Sequence, residues 1–367
     1  MKGATMPRLL LVTKKLGGAY PGGRELFWRF NRDCLRDIFG ENLFVVELEA
    51  TPVRTPAAVV AAMSGHIDGV SRASLIAILK VIRENRITQV FIDGSNMGEV
   101  AAALRTQGCP VKITTFFHNV EARFFLGLLR TSWTPRALLV LIANYLAERK
   151  AVKHSDMIIA LSEADSRGLE RTYGRGASLI SPLALRDQMT SMHDVDGDIG
   201  RGAYVLFVGG AFYANKAGVV WFVENVASKI DCETVVVGRG MEALKPDLER
   251  PGKVRIVGGV NSLAQWYFGA KLVIAPIFDG SGMKTKVAEA LMFGKKIAGT
   301  PEAFSGYEDI AARAGWICKN SDDFVATINS LGGVSLPSFD PNVRALYEER
   351  YSYPAARARY AQALGGR

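Results

Sequence analysis

The residues best suited to chemistry lie in one short segment of this 367-residue chain, where a glycine-rich loop precedes a helix. An apolar run ending at Pro276 is followed by Asp279–Gly282, and then by a helix-like run over Met283–Phe293. Glycines let the backbone approach a ligand closely, and a helix N-terminus presents free N–H groups with a positive dipole end. The segment therefore predicts a binding site for an anion.

Two lysines and a glutamate make this prediction more specific. Lys284 and Lys286 place positive charge in the predicted first turn, where the helix dipole favours acids. A bound diphosphate would remove this conflict. Glu289 lies three residues after Lys286 on a neighbouring part of the helix face, where it could accept both hydrogen bonds of a ribose diol. The alternative is a solvated lysine-rich turn in which Glu289 only pairs with Lys286.

Two further candidates lie in the first half of the chain. The run Gly17–Gly23 comes after an apolar strand and before a helical stretch from Arg24, so it is either an anion- or sugar-binding turn or a flexible loop. His118 follows the apolar run Ile113–Phe117, in a chain with four histidines. A lone histidine at a strand end is more often structural than functional.

The order of elements predicts two α/β domains with parallel sheets. Short apolar, β-branched runs alternate with helix-length segments, which is typical of strands covered on both faces. The predicted strands are 8–13, 43–48, 90–93, 112–118, 157–162, 204–208, 234–237, 254–257, 272–276 and 296–298. The polar segment 189–202 is interpreted as the linker between two doubly wound domains. In such sheets ligands bind beyond the carboxyl ends of the strands, which is where the candidate residues fall.

Composition and charge exclude several classes of protein. With 49% hydrophobic and 22% charged residues the chain is not disordered, and no stretch is long and apolar enough to span a membrane. Its four cysteines are far apart, without metal-ligand or redox spacing. Residues 1–190 carry 25 Lys and Arg against 17 Asp and Glu, which suggests an anionic partner for that half. Nucleic acid is one candidate, but no basic run interleaved with aromatics indicates it, and an anionic membrane or a phosphate-bearing substrate fits at least as well.

The stretch 123–150 mixes long apolar runs with arginines. An apolar and cationic surface suits contact with anionic lipid headgroups. A core helix with solvated arginines is the alternative.

The motif DGSGMKTKVAEA, followed by FGKKIA, resembles the donor-binding motif of retaining GT-B glycosyltransferases of the large bacterial family 4, also called group 1. Five further blocks are similar to that family in the same order: 117–125, 148–165, 205–226, 235–240 and 256–267. One departure stands out. Many members carry two glutamates eight positions apart, but here Ser281 occupies the position eight before Glu289, and Asp279 is the nearest upstream acid.

The resemblance implies roles for individual residues. His118, Lys286 and Glu289 would be catalytic, with His118 bonded to the donor sugar and Glu289 to the ribose. Residues of the loops at the cleft would bind the donor: Gly22, Gly23, Arg24, Gly210, Lys216, Arg239, Val260, Asp279, Gly280, Ser281, Gly282, Met283, Lys284, Lys286 and Glu289.

The resemblance also implies the architecture: two Rossmann-like domains facing each other across a cleft, in a GT-B-like α/β fold. We expect an acceptor-binding domain at 1–188, a donor-binding domain at 203–345, and a helical tail at 346–367 that packs back on the first domain.

The function implied is transfer of a sugar, with retention, from a UDP- or GDP-sugar to a sugar or lipid-linked sugar hydroxyl in polysaccharide or glycolipid assembly. No metal and no cofactor are expected, and neither is a nucleic-acid partner. The location implied is cytoplasmic, with or without peripheral contact at the inner face of the plasma membrane. A silent nucleotide-sugar-binding subunit and a sugar-nucleotide epimerase on the same fold remain alternatives.

Overall fold

The chain forms two compact units, each built on one parallel sheet. The computed structural model describes residues 6–15, 23–49, 55–131, 133–189, 204–280, 282–332 and 337–365. The first unit comprises residues 1–182 together with 356–367, and the second comprises residues 183–355. The predicted linker 189–202 falls, except for its first residue, outside the described residues.

The sheet of the first unit has six parallel strands in the order β2-β1-β3-β4-β5-β6. These strands are β1 (Leu9–Lys14), β2 (Leu43–Leu48), β3 (Gln89–Asp93), β4 (Lys112–Phe117), β5 (Met157–Ala160) and β6 (Leu179–Ile180). Leu9–Val12 and Val90–Asp93 are fully buried, as expected for central strands that helices cover on both faces. Reversal of strand order between β1 and β3 places a topological switch point there.

The described residues of this unit up to Tyr173 form seven α-helices around the sheet, and local signals set several of their ends. They are α1 (Gly23–Phe39), α2 (Pro56–Met63), α3 (Arg72–Glu84), α4 (Gly98–Thr106), α5 (Glu121–Thr131), α6 (Pro135–His154) and α7 (Glu163–Tyr173). Thr134 caps α6, accepting the Ala137 N–H at 3.0 Å, and Pro135 occupies the first helical position. At the end of α7, Gly174 adopts the left-handed conformation that stops the helix.

The second unit repeats the architecture in the order β12-β11-β10-β7-β8-β9, again parallel throughout. Its strands are β7 (Tyr204–Val208), β8 (Glu233–Val237), β9 (Val254–Gly258), β10 (Ala270–Ala275), β11 (Ile297–Gly299) and β12 (Gly315–Ile317). The order reverses between β7 and β10, which makes the carboxyl ends of these two strands the switch point of this sheet.

The helices of this unit are mostly short. They are α8 (Tyr213–Asn225), α9 (Lys245–Leu248), α10 (Ala264–Gly269), α11 (Thr285–Met292), α12 (Ala311–Ala314), α13 (Ser321–Ser330) and α14 (Pro341–Leu346), followed by a π-helical turn (Tyr347–Tyr351) and α15 (Tyr353–Leu364). From Ala356 onward α15 belongs to the first unit, where the Tyr360 hydroxyl donates to Asn31 Oδ1 at 2.8 Å.

Glycines let the loops at the second switch point approach one another. A Cβ at Gly218 of α8 would lie 1.9 Å from the Pro276 carbonyl oxygen, and one at Gly238 would lie 1.9 Å from the Gly209 carbonyl oxygen. Both distances are far below van der Waals contact, so any side chain there would force the loops apart. The glycines thus permit the close packing that shapes the candidate site.

The predicted α/β class with two parallel sheets is confirmed, and ten predicted strands correspond to observed ones. The two strands that the sequence did not predict, β6 and β12, are sheet edges of two and three residues, too short for a recognisable apolar run. No helix among the described residues combines the length and apolarity needed to cross a membrane.

Candidate active site

The predicted donor segment lies at the switch point of the second sheet. Gly209 and Gly210 follow β7, and the loop Pro276–Lys284 follows β10, which pairs with β7. Because parallel neighbouring strands end at the same edge, these two loops flank one crevice, which is where open α/β sheets bind their ligands.

Lys286 is the buried cation of this crevice. Its side chain on α11 extends over the Phe207 ring, with Nζ 4.2 Å from the ring centroid, and donates to Asn215 Oδ1 at 2.7 Å. The residue is only 6% exposed, and burial lowers the pKa of its ammonium to about 7. An ammonium has three N–H donors, and the other two find no acceptor among the described residues.

Two helices begin beside this ammonium. At the start of α11, Val287 N donates to the Lys284 carbonyl at 3.1 Å, and the Ala288 N–H is bonded to the Tyr307 hydroxyl. The N–H groups of Thr285 and Lys286 have no acceptor in the described part of the chain. Free N–H groups and a lysine ammonium together suit an anion.

The start of α8 is held by Asn215, a residue of its first turn. Its Nδ2 donates to the Gly210 carbonyl at 2.9 Å while its Oδ1 accepts from Lys286. The amide therefore links the β7–α8 loop to α11. It also fixes the position of the Lys286 ammonium between the two helix ends.

The loop after β10 depends on two glycines and one lysine. Gly280 and Gly282 have φ of 116° and 70°, values that favour glycine. Lys284 donates to the carbonyls of both glycines, at 3.3 and 2.8 Å, and to Glu302 Oε1 at 2.7 Å. Its three donors are thus used inside the protein. Lys284 precedes the first turn of α11, so its main visible effect is to hold the loop's shape.

Asp279 connects the same loop to α8. Its Oδ1 accepts the Gly280 N–H at 2.6 Å, and its Oδ2 accepts the Tyr213 hydroxyl at 3.0 Å. Tyr213 itself is exposed. Ser281 lies outside the described residues.

Glu289 lies one turn along α11 and is partly buried. The Tyr267 hydroxyl donates to its Oε2 at 3.2 Å, and the Tyr267 ring stacks on Phe293 at a centroid distance of 4.5 Å. Burial raises the pKa of the Glu289 carboxyl, an effect that the Tyr267 hydrogen bond and the charge of Lys286 oppose. The structure brings Glu289 into the electrostatic range of Lys286, as expected from their spacing on one helix.

The other residues of this unit that were predicted to bind the nucleotide-sugar donor lie in different surroundings. The Arg239 carbonyl accepts the Ala211 N–H at 3.0 Å, so the β8 loop borders the β7 loop. Val260 follows β9 and is half-buried, and Lys216 is half-buried near the start of α8. Met283 points into the protein, where its sulfur accepts the Leu183 N–H at 3.4 Å. Its side chain therefore packs in the core of the unit.

Of the predicted residues in the first unit, Gly22 and the Arg24 side chain lie outside the described part of the chain, and Gly23 begins α1. His118 is described fully and lies at the end of β4. Its Nε2 is 2.9 Å from Asp93 Oδ1, and its side chain is 8% exposed. The ring packs edge-on against Phe116 at a centroid distance of 4.8 Å.

Asp93 is the polar centre of this switch point, and no sequence motif marked it. Its Oδ2 accepts from Thr13 Oγ1 at 3.1 Å and its Oδ1 from Asn31 Nδ2 at 2.7 Å. Neither nitrogen of His118 is in hydrogen-bonding geometry with a described residue. The histidine thus lies against a satisfied acid and keeps hydrogen-bonding capacity of its own.

Several other residues of the two sites were not predicted: Asn215, Tyr213, Tyr267, Tyr307 and Asn31. Each acts by reaching a residue far away in sequence, which a linear motif does not reveal. For Asn215 a signal existed, since an amide at a helix start after two glycines often bonds to loop backbone. Among the described residues, no three His, Cys, Asp or Glu side chains cluster as metal ligands would.

Comparisons with known proteins relate this segment to the glycosyl transferases. A sequence profile of the family described as "Glycosyl transferases group 1" matches residues 202–332, which include the whole second switch point. A search of curated proteins finds no match to this sequence.

Solved structures share the fold over nearly the full length. HepE of Anabaena, solved in complex with UDP, is 14% identical, with a TM-score of 0.68 over 98% of this chain and 99% of that chain. Sucrose-phosphate synthase of Thermosynechococcus elongatus is 13% identical, with a TM-score of 0.70 over 98% of both chains. A UDP-forming trehalose-phosphate synthase of Burkholderia xenovorans is 12% identical, with a TM-score of 0.60 over 98% and 99%. The fold is therefore GT-B, and residues 202–332 of the chain are similar to the group 1 glycosyl transferases.

Proposed function

We propose that the second unit binds the diphosphate of a nucleotide sugar at Lys286, and that the protein transfers the sugar to a hydroxyl acceptor with retention. The observation that carries the proposal is a buried ammonium with unused donors, held by Asn215 at the switch point of the sheet. A family of glycosyl transferases matches the segment that contains it.

Burial of Lys286 without a counter-charge in contact is unfavourable in the free protein, because a desolvated ammonium loses its hydration. This cost is what lowers its pKa to about 7. A diphosphate would supply both negative charge and acceptor oxygens for the remaining N–H groups. The site therefore has more to gain from an anion than a solvated surface lysine has.

The same groups would act in catalysis. When the glycosidic bond to the diphosphate breaks, negative charge accumulates on the leaving phosphate, and fixed donors aimed at that charge lower the barrier. Lys286 and the N–H groups of Thr285 and Lys286 would supply this stabilisation. We propose that these groups make a metal unnecessary, so that turnover persists in excess EDTA.

Glu289 would accept the hydroxyls of the ribose, since it lies one turn beyond the proposed phosphate site. The Tyr267 hydrogen bond would hold the carboxylate in place. Lys284 would act by positioning the glycine loop, because its own donors are already used. The proposed contact of His118 with the donor sugar is supported by its Nδ1, which has no hydrogen-bond partner among the described residues.

The experiment is a calorimetric titration of the full chain with UDP, GDP and ADP, followed by their sugar conjugates. UDP comes first because the Anabaena structure of the same fold holds UDP. We expect one nucleotide to bind, and Lys286→Met to weaken that binding at least 100-fold, in line with removal of a charged donor from a buried site.

Lys229→Met is the matched control, since Lys229 is an exposed lysine of the same unit at the other end of α8. Equal binding by Lys286→Met and the control would show that the nucleotide binds elsewhere. Once the donor base is known, retention is tested by NMR of the anomeric proton in the product. The acceptor, a sugar or a lipid-linked sugar of polysaccharide or glycolipid assembly at the cytoplasmic face of the membrane, stays a prediction.

A further inference from the structure

Exposed apolar side chains are concentrated on one helical hairpin of the first unit. The α5–α6 hairpin consists of α5, α6 and the turn between them, and the two helices pack against each other. Seven of the thirteen exposed large hydrophobic residues in the described part of the chain lie here: Phe124, Leu126, Leu128, Trp133, Leu138, Leu139 and Ile142. Single exposed apolar residues are ordinary, but a concentration of them on one pair of packed helices favours an interaction surface.

The charge of the hairpin has one sign. From residue 122 to 147 the chain has three arginines and no acid. Arg123, Arg130 and Arg136 are all exposed, and none forms an ion pair with a described residue. Unpaired arginines beside exposed leucines leave both the charge and the apolar area available to a partner.

The hairpin is well anchored beneath this surface. Glu148 of α6 accepts the N–H groups of Glu121 and Ala122 at 2.8 and 3.0 Å, which caps the start of α5. The opposite face of α6 is buried through Ala143 and Ala147. The exposed residues therefore belong to a rigid element.

An apolar groove of about 340 Å³ opens on the same surface. It is lined by Ala122, Arg123, Leu126, Leu141, Ile142, Tyr145 and Thr172. Two of these, Leu126 and Ile142, are also members of the exposed apolar group, and Arg123 is one of the exposed arginines. Apolar side chains that continue into a groove suit acyl chains better than a flat polar surface would.

We propose that the α5–α6 hairpin binds the surface of an anionic lipid bilayer, with its apolar side chains among the upper acyl chains and its arginines on the headgroups. Charge complementarity decides for lipid, because an acid-free cationic surface around leucines and a tryptophan matches anionic headgroups above hydrocarbon. Trp133, 69% exposed at the hairpin turn, suits the interface itself. This inference stands independently of the proposed function.

The test is co-sedimentation of the full chain with vesicles of phosphatidylcholine, with and without phosphatidylglycerol. We expect binding to the anionic vesicles and little to the neutral ones. The triple change Arg123→Glu, Arg130→Glu and Arg136→Glu should reduce binding at least 100-fold, since each arginine contributes about fivefold near an anionic surface. Leu128→Ser with Trp133→Ser should reduce binding at least tenfold on the same vesicles.

Two matched controls lie on α3 of the same unit, outside the hairpin. Ile76→Ser removes an apolar side chain that is 67% exposed, and Arg83→Glu reverses an exposed charge. Both should bind like the parent chain. Equal loss in the controls and the hairpin variants, or equal binding to neutral and anionic vesicles, would overturn the proposal.

Tryptophan fluorescence gives a second measurement that does not depend on a folded multiple variant. We expect anionic vesicles to shift the emission to the blue, and Trp133→Phe to remove the shift although four other tryptophans remain. Sedimentation velocity without lipid tests the alternative that the surface binds a second copy of this chain. A dimer that Leu128→Ser disperses, in a chain that ignores vesicles, would assign the surface to a second copy and refute lipid binding.

Discussion

The switch points of the two sheets differ in the charge and the hydrogen bonding of their buried central residue. At the switch point of the first sheet the buried centre is an acid, Asp93, and its oxygens are filled by donors from Thr13 and Asn31. At the switch point of the second sheet the buried centre is a base, Lys286, and one described acceptor serves its three donors. The position alone therefore does not identify a ligand site. Hydrogen-bonding groups that remain unused at that position are the feature that indicates a ligand site.

Burial has different consequences at the two centres. The Asp93 network continues through Asn31 to the Tyr360 hydroxyl of α15, so it fastens the C-terminal helix to the first sheet. The Lys286 ammonium donates to Asn215 and lies over the face of Phe207, and it has no second acceptor among the described residues. We infer that Asp93 contributes mainly to stability and Lys286 mainly to binding, and each prediction below tests one side of that contrast.

The largest effect is expected at Lys286. Lys286→Met should lower kcat/KM for sugar transfer about 1000-fold, because a charged donor to the leaving phosphate is lost. The free energy of unfolding should stay equal or rise, since the change removes a desolvated charge. Steady-state kinetics and urea denaturation of the same preparation measure both. If the variant lost stability along with activity, Lys286 would contribute to stability, as we infer for Asp93.

The opposite result is expected at Asp93. Asp93→Ala should destabilise the first unit by about 3 kcal/mol, because it leaves the buried donors of Thr13 and Asn31 without acceptors. Glu84→Ala, which removes an exposed partner of Lys80, is the control and should cost under about 0.5 kcal/mol. Denaturation followed by circular dichroism checks this. A cost at Asp93 no larger than the control's would remove the distinction between the two centres.

The contrast between the centres was only partly visible in the sequence. Apolar runs predicted ten of twelve strands, and the glycine-rich loop with its lysines and glutamate predicted the position of α11. The helix begins at Thr285, two residues after its predicted start, because the backbone of Lys284 is extended. The Lys284 side chain instead donates to the Gly282 carbonyl of the preceding loop. From their spacing in the sequence, Lys284 and Lys286 were equally good candidates for binding an anion. The structure distinguishes them by the directions of their side chains.

What the sequence did not reveal are the partners that long-range folding supplies. Asn31 and Asp93 are 62 residues apart, and Tyr213 and Asp279 are 66 apart, so no local pattern links them. His118 and Asp93 meet because adjacent parallel strands end at the same edge. Pairings of this kind follow from strand order, which a motif search does not provide.

The titration of Lys286 provides a test whose expected effect is smaller than that of the substitutions above. The pKa of Lys286 in the free protein is about 7, and a bound diphosphate should raise it by stabilising the ammonium. Above pH 7 binding must then take up a proton, so the affinity for the nucleotide should fall about tenfold per pH unit until the pKa of the complex is reached. Calorimetry in two buffers of different ionisation enthalpy measures the proton uptake. Lys286→Met should show a flat profile, and an equally steep fall in that variant would locate the titrating group elsewhere.

The smallest effect is expected at Tyr213, which provides the second site's counterpart to the buried Asn31–Asp93 bond. Its hydroxyl donates to Asp279 Oδ2 at 3.0 Å across the loops that follow β7 and β10, but the tyrosine is exposed and Asp279 keeps the Gly280 N–H as a donor. Tyr213→Phe should therefore raise KM for the donor only about two- to fivefold, equivalent to the roughly 0.5–1 kcal/mol of one solvated hydrogen bond, with kcat nearly constant. Phe212→Leu, at an equally exposed neighbour without a hydroxyl, controls for a general effect of changes at the start of α8 and should leave KM for the donor unchanged. If kcat fell more than tenfold instead, the hydroxyl would act on the reacting groups themselves, and the two switch points would differ in chemistry as well as in hydrogen-bond satisfaction.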